Sequence, residues 1–142
     1  MPRTLPFLNE DDLSLVRNAG IQLHYSPGDA LVRSGAPIDE MVVVWNGRVR
    51  FELNERRGDA ALGVIEPVHI IGEGRLLGEE RHRLSVVAAD ELEANLIDGR
   101  LLLELVDASP AFAARFFRAL ASVLAERCVR LAETTAPPFR WK

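Results

Sequence analysis

The chain has 142 residues and a mass of 15.8 kDa, which corresponds to one domain. Hydrophobic residues make up 48% and charged residues 27%, so general disorder is excluded. No apolar run is long enough to cross a bilayer, and the N-terminus lacks the features of a secretory signal. A single cysteine, Cys128, excludes an internal disulfide. We therefore expect a cytoplasmic protein that does not associate with membranes.

The net charge of −4 is distributed unevenly. Residues 1–109 contain 11 Arg and 19 Asp or Glu, whereas residues 110–142 contain six Arg or Lys and two Glu. A basic C-terminal part could contact nucleic acid or an acidic partner, or it could be the solvated face of a terminal helix. The acidic pI of about 5.4 disfavours DNA as a partner.

The first helix is predicted over Phe7–Asn18. Asn9 is a suitable N-cap, and Glu10, Asp11 and Asp12 follow it in the first turn, where the helix dipole favours acidic side chains. The apolar side of this helix is formed by Leu8, Leu13, Leu15 and Val16.

Short strands separated by turn residues are predicted from Ile21 to Ile97, a pattern typical of an antiparallel sandwich or roll. Asn46-Gly47 lies between two of them and predicts a hairpin with a type I′ turn. The predicted strands are Ile21–Tyr25, Ala30–Arg33, Glu40–Trp45, Arg48–Leu53, Ala60–Ile65, His69–Ile71, Leu84–Ala88 and Glu93–Ile97, with a polar connection over Asn54–Asp59.

Two helices are predicted after the strands, over Gly99–Val106 and over about Pro110–Glu133. Ser109 caps the second helix, and proline is tolerated at its first position. Its apolar stripe is too broad for one neighbour, so we expect a homodimer through this helix. Residues 1–133 form the predicted domain, and Thr134–Lys142, with two prolines, is predicted to be a flexible tail. The fold class is therefore α+β: an antiparallel β-roll, jelly-roll-like, with a short N-terminal helix and two C-terminal helices.

The segment Ile71–Ala89 is rich in Gly, Glu and Arg. Its glycines allow sharp turns, and a helical turn over Arg75–Gly78 would offer backbone N–H groups to an anion. An arginine from the following strand would add a forked, permanently charged donor. These residues predict a small ligand that carries phosphate, although an ion pair on a surface loop would use the same residue types.

Several motifs resemble the cyclic nucleotide-binding domain family, which includes catabolite-activator-like regulators and protein kinase A regulatory subunits. Tyr25–Gly35 resembles its opening turn, and Asp39–Val49 resembles its strand–glycine–strand signature. Gly72-Glu73, followed ten residues after the glutamate by Arg83, resembles its phosphate-binding cassette, and Arg83–Ala89 resembles the exit strand. The resemblance extends from about Leu8 to Leu131.

The resemblance implies a role for each matching residue. Gly72 and Gly74 would approach the ligand, Glu73 would accept a hydrogen bond from the ribose 2′-hydroxyl, and Arg83 would pair with the cyclic phosphate. The remaining implied ligand-binding residues are Leu84 and Ser85 on the phosphate side, and Arg127 and Cys128 near the base. Arg127 could stack on a purine or could face water.

The sequence departs from the family pattern at three places. Leu84 stands where a small or hydroxyl-bearing residue is usual, and strand alternation would turn Ser85 to the opposite face. Arg75 follows Gly74 where a small or apolar residue is usual, and Val68-His69 replaces a Gly-Asp turn. These departures favour an alternative reading in which the fold binds no nucleotide.

The expected function is a cytoplasmic ligand-sensing module that binds a cyclic nucleotide, with cyclic AMP favoured over cyclic GMP. Occupancy would be relayed through the C-terminal helix to an unidentified downstream protein. The alternative is a degenerate fold that serves in dimerisation or protein interaction. The three histidines and the serines lie in no pattern typical of a metal site or of acyl transfer, so we expect neither an enzyme nor a metal protein.

Overall fold

The structure is a computed structural model that describes residues 5–52, 64–67 and 69–135. The helices in these residues are α1 (Glu10–Ala19), α2 (Gly99–Ala108) and α3 (Pro110–Thr135). A 3-10 helix covers Glu73–Leu77. The strands are β1 (Ile21–Tyr25), β2 (Ala30–Val32), β3 (Glu40–Asn46), β4 (Arg48–Glu52), β5 (Val64–Pro67), β6 (Ile70–Ile71), β7 (Ser85–Ala88) and β8 (Leu92–Asp98).

The strands form two antiparallel four-stranded sheets. Strand order is β1-β8-β3-β6 in the first sheet and β2-β7-β4-β5 in the second. Apolar side chains from both sheets, such as Val44, Val49 and Val86, meet between them in one core cluster. The predicted α+β antiparallel roll with one N-terminal and two C-terminal helices is thus confirmed.

A second core cluster lies between the first sheet and the helices. Strand β3 contributes to both clusters: Met41 and Val43 face the helices, whereas Val42 and Val44 face the second sheet. Successive side chains of a strand point to opposite faces, so a strand covered on both sides needs a continuous apolar run. The run Met41–Trp45 meets this requirement.

The prediction of a hairpin at Asn46-Gly47 is wrong. Strand β3 pairs with β6 and β8, while β4 pairs with β5 and β7, so the chain crosses here from one sheet to the other. Only Gly47 has a positive φ, of 97°, whereas a type I′ turn requires two such residues. A Cβ at Gly47 would clash with Leu92 Cδ2, which shows how closely this corner packs.

The helix ends follow the expected caps. Asn9 caps α1 through a reciprocal pair of hydrogen bonds with Asp12, of 2.8 and 3.1 Å. The Ser109 hydroxyl accepts a 3.3 Å hydrogen bond from the Phe112 N–H, and α3 continues two residues past the predicted end.

The segment 53–63 and the tail residues 136–142 lie outside the described residues. No helix in the described part of the chain is long and apolar enough to cross a membrane.

An ion pair joins α1 to α3. Arg115 donates to both carboxylate oxygens of Asp12, at 2.6 and 2.9 Å, and the Asp12 side chain is only 5% exposed. The hydrogen bond from Arg115 lowers the pKa of Asp12, against the opposing effect of burial. A bidentate charged pair of this kind fixes the orientation of the two helices.

We predict that Asp12→Asn lowers the free energy of unfolding at pH 7 by about 1–2 kcal/mol, because the charged hydrogen bonds from Arg115 are lost while Arg115, itself 38% exposed, is solvated by water. Since the folded-state pKa of Asp12 is depressed, its stabilisation is fully present above its unfolded value of about 3.9 and is lost as pH falls below it. We expect urea unfolding of wild type and Asp12→Asn to show that the difference between their free energies of unfolding becomes smaller from pH 7 to pH 3. The control is the exposed neighbour Asp11: Asp11→Asn should change the free energy of unfolding little. A difference between wild type and Asp12→Asn that does not depend on pH would contradict a stabilising charge on Asp12.

Candidate functional site

The turn that opens the 3-10 helix depends on glycine. Gly72 has a φ of 90°, and a Cβ there would lie 2.5 Å from the carbonyl oxygen of Glu40 in β3. Only glycine combines that backbone conformation with so close an approach. Gly78, with a φ of 88°, ends the helix. The turn thus fixes Glu73 beside the end of β6, at the edge of the space between the two sheets.

A cavity of about 210 Å³ lies beside this turn. Its walls bring together six of the eight residues that the sequence assigns to ligand binding: Gly72, Glu73, Gly74, Arg83, Leu84 and Arg127. Residues from the turn after β6, the 3-10 helix, the approach to β7 and α3 therefore meet at one place, although they are up to 55 positions apart in the chain.

Glu73 is paired with Arg127. Arg127 Nη1 lies 3.5 Å from Glu73 Oε1, and Arg127 Nη2 donates a 3.0 Å hydrogen bond to the carbonyl oxygen of Ile70. The Arg127 guanidinium also lies 5.2 Å above the ring of Phe51, within range of a cation–π contact. Both charged side chains are 17% exposed, so Arg127 covers the cavity and does not face water.

Arg83 lies at the rim of the cavity with its side chain 82% exposed. Its Nε donates a 3.1 Å hydrogen bond to Glu79 Oε2. An exposed ion pair of this type contributes only about 0–1 kcal/mol to stability. Arg83 can therefore exchange Glu79 for another anion at little cost.

Two assigned residues lie elsewhere. The Ser85 side chain is buried, and its hydroxyl accepts a 2.9 Å hydrogen bond from the backbone N–H of Ser34 on the neighbouring segment. Strand alternation predicts this orientation away from Leu84. Cys128 is exposed on α3 and is not among the residues that line the cavity. The structure therefore does not bring Ser85 or Cys128 to the cavity.

Two of the departures from the family pattern point away from the cavity. Arg75 Nη1 donates a 3.0 Å hydrogen bond to the Ile38 carbonyl, and its side chain packs against Gly99 at the start of α2. His69 is partly buried near Glu126 of α3, and burial lowers its pKa. Leu84 alone among the three lines the cavity.

The charges around the cavity suit an anion. Arg81, Arg83 and Arg127 line it together with Glu73 and Glu79, so cations are in excess. A larger cavity of about 620 Å³ lies on the β1–β2 side of the roll, where Asp29, Asp39 and Glu40 outnumber Arg33. Burial lowers the pKa of His82, which borders both cavities, so it is expected to add no charge near neutral pH. A phosphate group is electrostatically favoured in the smaller cavity.

Sequence reasoning missed the apolar wall of the smaller cavity and the partner of Arg83. The wall comes from side chains that alternate inward on the strands, and this alternation was the signal available to find them. These wall residues are Val32, Phe51, Ile71 and Val86, and Ile38 adds to the wall from the connection before β3. No group of three or more potential metal ligands occurs within the described residues.

A comparison with known families identifies the family of the chain. Residues 22–109, more than half of the chain, match the model of the cyclic nucleotide-binding domain. The chain belongs to the cyclic nucleotide-binding domain family. This family is a class of regulatory ligand-binding domains and not a class of enzymes. A comparison with curated protein sequences gave no significant match.

Solved structures share the fold at low identity. The N-terminal domain of a transcriptional regulator from Streptomyces coelicolor A3(2) is 23% identical with a TM-score of 0.64, over 84% of this chain and 86% of that one. A cyclic nucleotide-binding domain from Methylobacillus flagellatus is 15% identical with a TM-score of 0.72, over 95% and 76%. The c-di-GMP-responsive global regulator CLP of Xanthomonas campestris is 15% identical with a TM-score of 0.74, over 88% and 62%. At these identities the likeness concerns the fold alone.

Proposed function

We propose that the protein is a cytoplasmic sensor that binds a cyclic nucleotide in the cavity beside the Gly72 turn. The observation that carries this proposal is the convergence of Glu73 and Arg83 on one cavity with an excess of arginine. Arg83 would hold the cyclic phosphate, and Glu73 would accept a hydrogen bond from the ribose 2′-hydroxyl. Membership of the family supports these roles, because both residues stand at the positions of its cassette motif.

The energetics of Arg83 favour phosphate binding. Binding would replace an exposed pair with Glu79, worth about 0–1 kcal/mol, by a charge-assisted contact worth about 1.5–3 kcal/mol. Leu84 offers no hydroxyl to the phosphate, so this arginine carries most of the recognition on that side. We therefore expect weaker binding than a site with both groups would give.

The motifs resemble those of catabolite-activator-like regulators, and we propose cyclic AMP as the ligand ahead of cyclic GMP. One solved structure of the same fold belongs to a c-di-GMP-responsive regulator, so the fold alone does not determine the nucleotide. We also propose that the domain extends over residues 1–133 and that α3 relays occupancy to a downstream protein.

We predict that calorimetric titration with cyclic AMP gives measurable binding and that Arg83→Ala weakens it by about tenfold or more, through loss of the charged contact. The matched control is Arg33→Ala, which removes an exposed arginine outside the cavity and should leave affinity unchanged. Equal affinities for wild type and Arg83→Ala would show that the cassette is not the binding site.

The second candidate is a fold of the same family that binds no nucleotide and serves as an interaction module. Leu84 in the cavity wall favours it, because its side chain takes up space on the phosphate side. The same titrations decide between the two functions. Absence of heat and of a thermal shift with millimolar cyclic AMP and cyclic GMP would support the interaction module and would contradict the sensor.

We further propose a homodimer through α3. Phe117, Ala121, Leu124 and Cys128 recur at three- and four-residue intervals, which places them on one face of this helix. Leu124 is partly exposed and the other three are exposed. An exposed Phe within such a row favours burial against another apolar surface.

We predict that sedimentation finds a species of twice the 15.8 kDa chain mass and that Phe117→Arg converts it to a monomer, because the charge would be buried in the interface. Ile21→Arg, which alters a more exposed apolar residue on β1, should leave the dimer intact. A wild-type protein that remains monomeric at high concentration would contradict this interface.

A further inference from the structure

Helix α3 is anchored to the roll in two different ways along its length. Its residues up to Val123 contribute the buried apolar side chains Phe112, Phe116, Ala119, Leu120 and Val123. Val123 is the last buried apolar residue of α3 among its described side chains. Beyond it, Leu124 is only partly buried against the same cluster, and polar contacts reach the roll, from Arg127 to Glu73 and Ile70 and from Arg130 to the Pro67 carbonyl.

A polar contact at a cavity mouth can be replaced by a ligand, because a ligand group can take the place of either partner. The Glu73–Arg127 pair is mostly covered, so its separation also requires its charges to be solvated again. The part of α3 beyond Val123 is therefore held near the cavity mainly by polar contacts that a ligand can replace. The Arg127 contacts reach three different elements: the Phe51 ring on β4, the Ile70 carbonyl on β6 and the Glu73 carboxylate on the 3-10 helix.

The Glu73 carboxylate has two alternative partners, the ligand and Arg127. Glu73 is the group that the proposed function assigns to the ribose hydroxyl, and in this structure it faces Arg127. The cavity volume of about 210 Å³ also falls below the roughly 300–1,000 Å³ typical of small-molecule sites. A nucleotide thus needs a larger cavity than this one, and it needs the Glu73 carboxylate that is paired with Arg127.

We propose that Arg127 acts as a latch: by pairing with Glu73 it holds the second half of α3 across the cavity in the ligand-free protein, and ligand binding requires this ion pair to open. Occupancy of Glu73 by a ligand and displacement of α3 are then one event. This inference rests on the proposed function for its ligand, but the latch itself is a property of the ligand-free chain. It makes Arg127 a positioning residue and not a contact to the base.

The first test uses hydrogen exchange on the ligand-free full chain. Arg127→Met keeps an apolar stem above Phe51 but removes the charge, and Glu73→Gln removes the charge on the other side. Both should speed amide exchange over residues 124–135 by about threefold or more, and the double variant should exchange no faster than Arg127→Met alone, because Glu73→Gln then has no ion pair left to remove. The matched control is Arg118→Met, an arginine of α3 that lies over the Phe7 ring and should not affect this segment. Unchanged exchange in both single variants would overturn the latch.

The second test uses calorimetric titration with cyclic AMP. Because ligand binding to wild type must first open the ion pair, Arg127→Met should bind about three- to tenfold more tightly. Weaker binding would overturn the latch and would make Arg127 a direct ligand contact, such as a stacking partner of the base. If none of the proteins binds the nucleotide, the proposed function fails, and the exchange experiment still decides whether the latch exists.

Discussion

The close approach of Gly72 to the backbone of β3 is the constraint on which the site depends. A side chain at this position would clash with the Glu40 carbonyl, and the positive φ would add strain. The turn directs the chain from β6 into the 3-10 helix, which brings Glu73 to the same cavity as Arg83 from the approach to β7. Without this turn, Glu73 and Arg83 would not lie close enough to contact the same ligand. The glycine thus links a local backbone requirement to the only chemistry that we assign to the chain.

The charges of the site are compensated internally in this structure. Glu73 faces Arg127, and Arg83 faces Glu79, so each proposed ligand contact already has a protein partner. The two pairs differ in burial: the first is mostly covered, whereas the Arg83 side chain is largely in solvent. Exposed pairs exchange partners at little cost, while a covered pair resists separation because its charges must be solvated again. We therefore infer that phosphate capture is easy and that access to Glu73 is the step coupled to α3.

Sequence patterns predicted the roll and its helices, because short strands with turn residues and capped helices carry local signals. That the cassette residues share one site was implied by the resemblance to the family and not by these local signals. Alternation along β7 correctly placed Ser85 on the face opposite Leu84. The partners of β3 and β4 could not be predicted, since an Asn-Gly pair fits a hairpin and also a corner between two sheets. The direction of Arg127 was equally hidden: helical periodicity gives the face of a residue but not where a long side chain ends. Only the structure shows that it returns to Glu73 and Ile70.

We propose that a cyclic phosphate binds between Arg83 and the Gly72 turn. The decisive experiment is a crystal structure of the full chain grown with cyclic AMP. We expect density for the phosphate within hydrogen-bond distance of the Arg83 guanidinium, with the ribose hydroxyl on the Glu73 carboxylate and Arg127 withdrawn from it. A nucleotide bound only in the larger acidic cavity, or an unchanged Glu73–Arg127 pair beside an empty cassette, would contradict it.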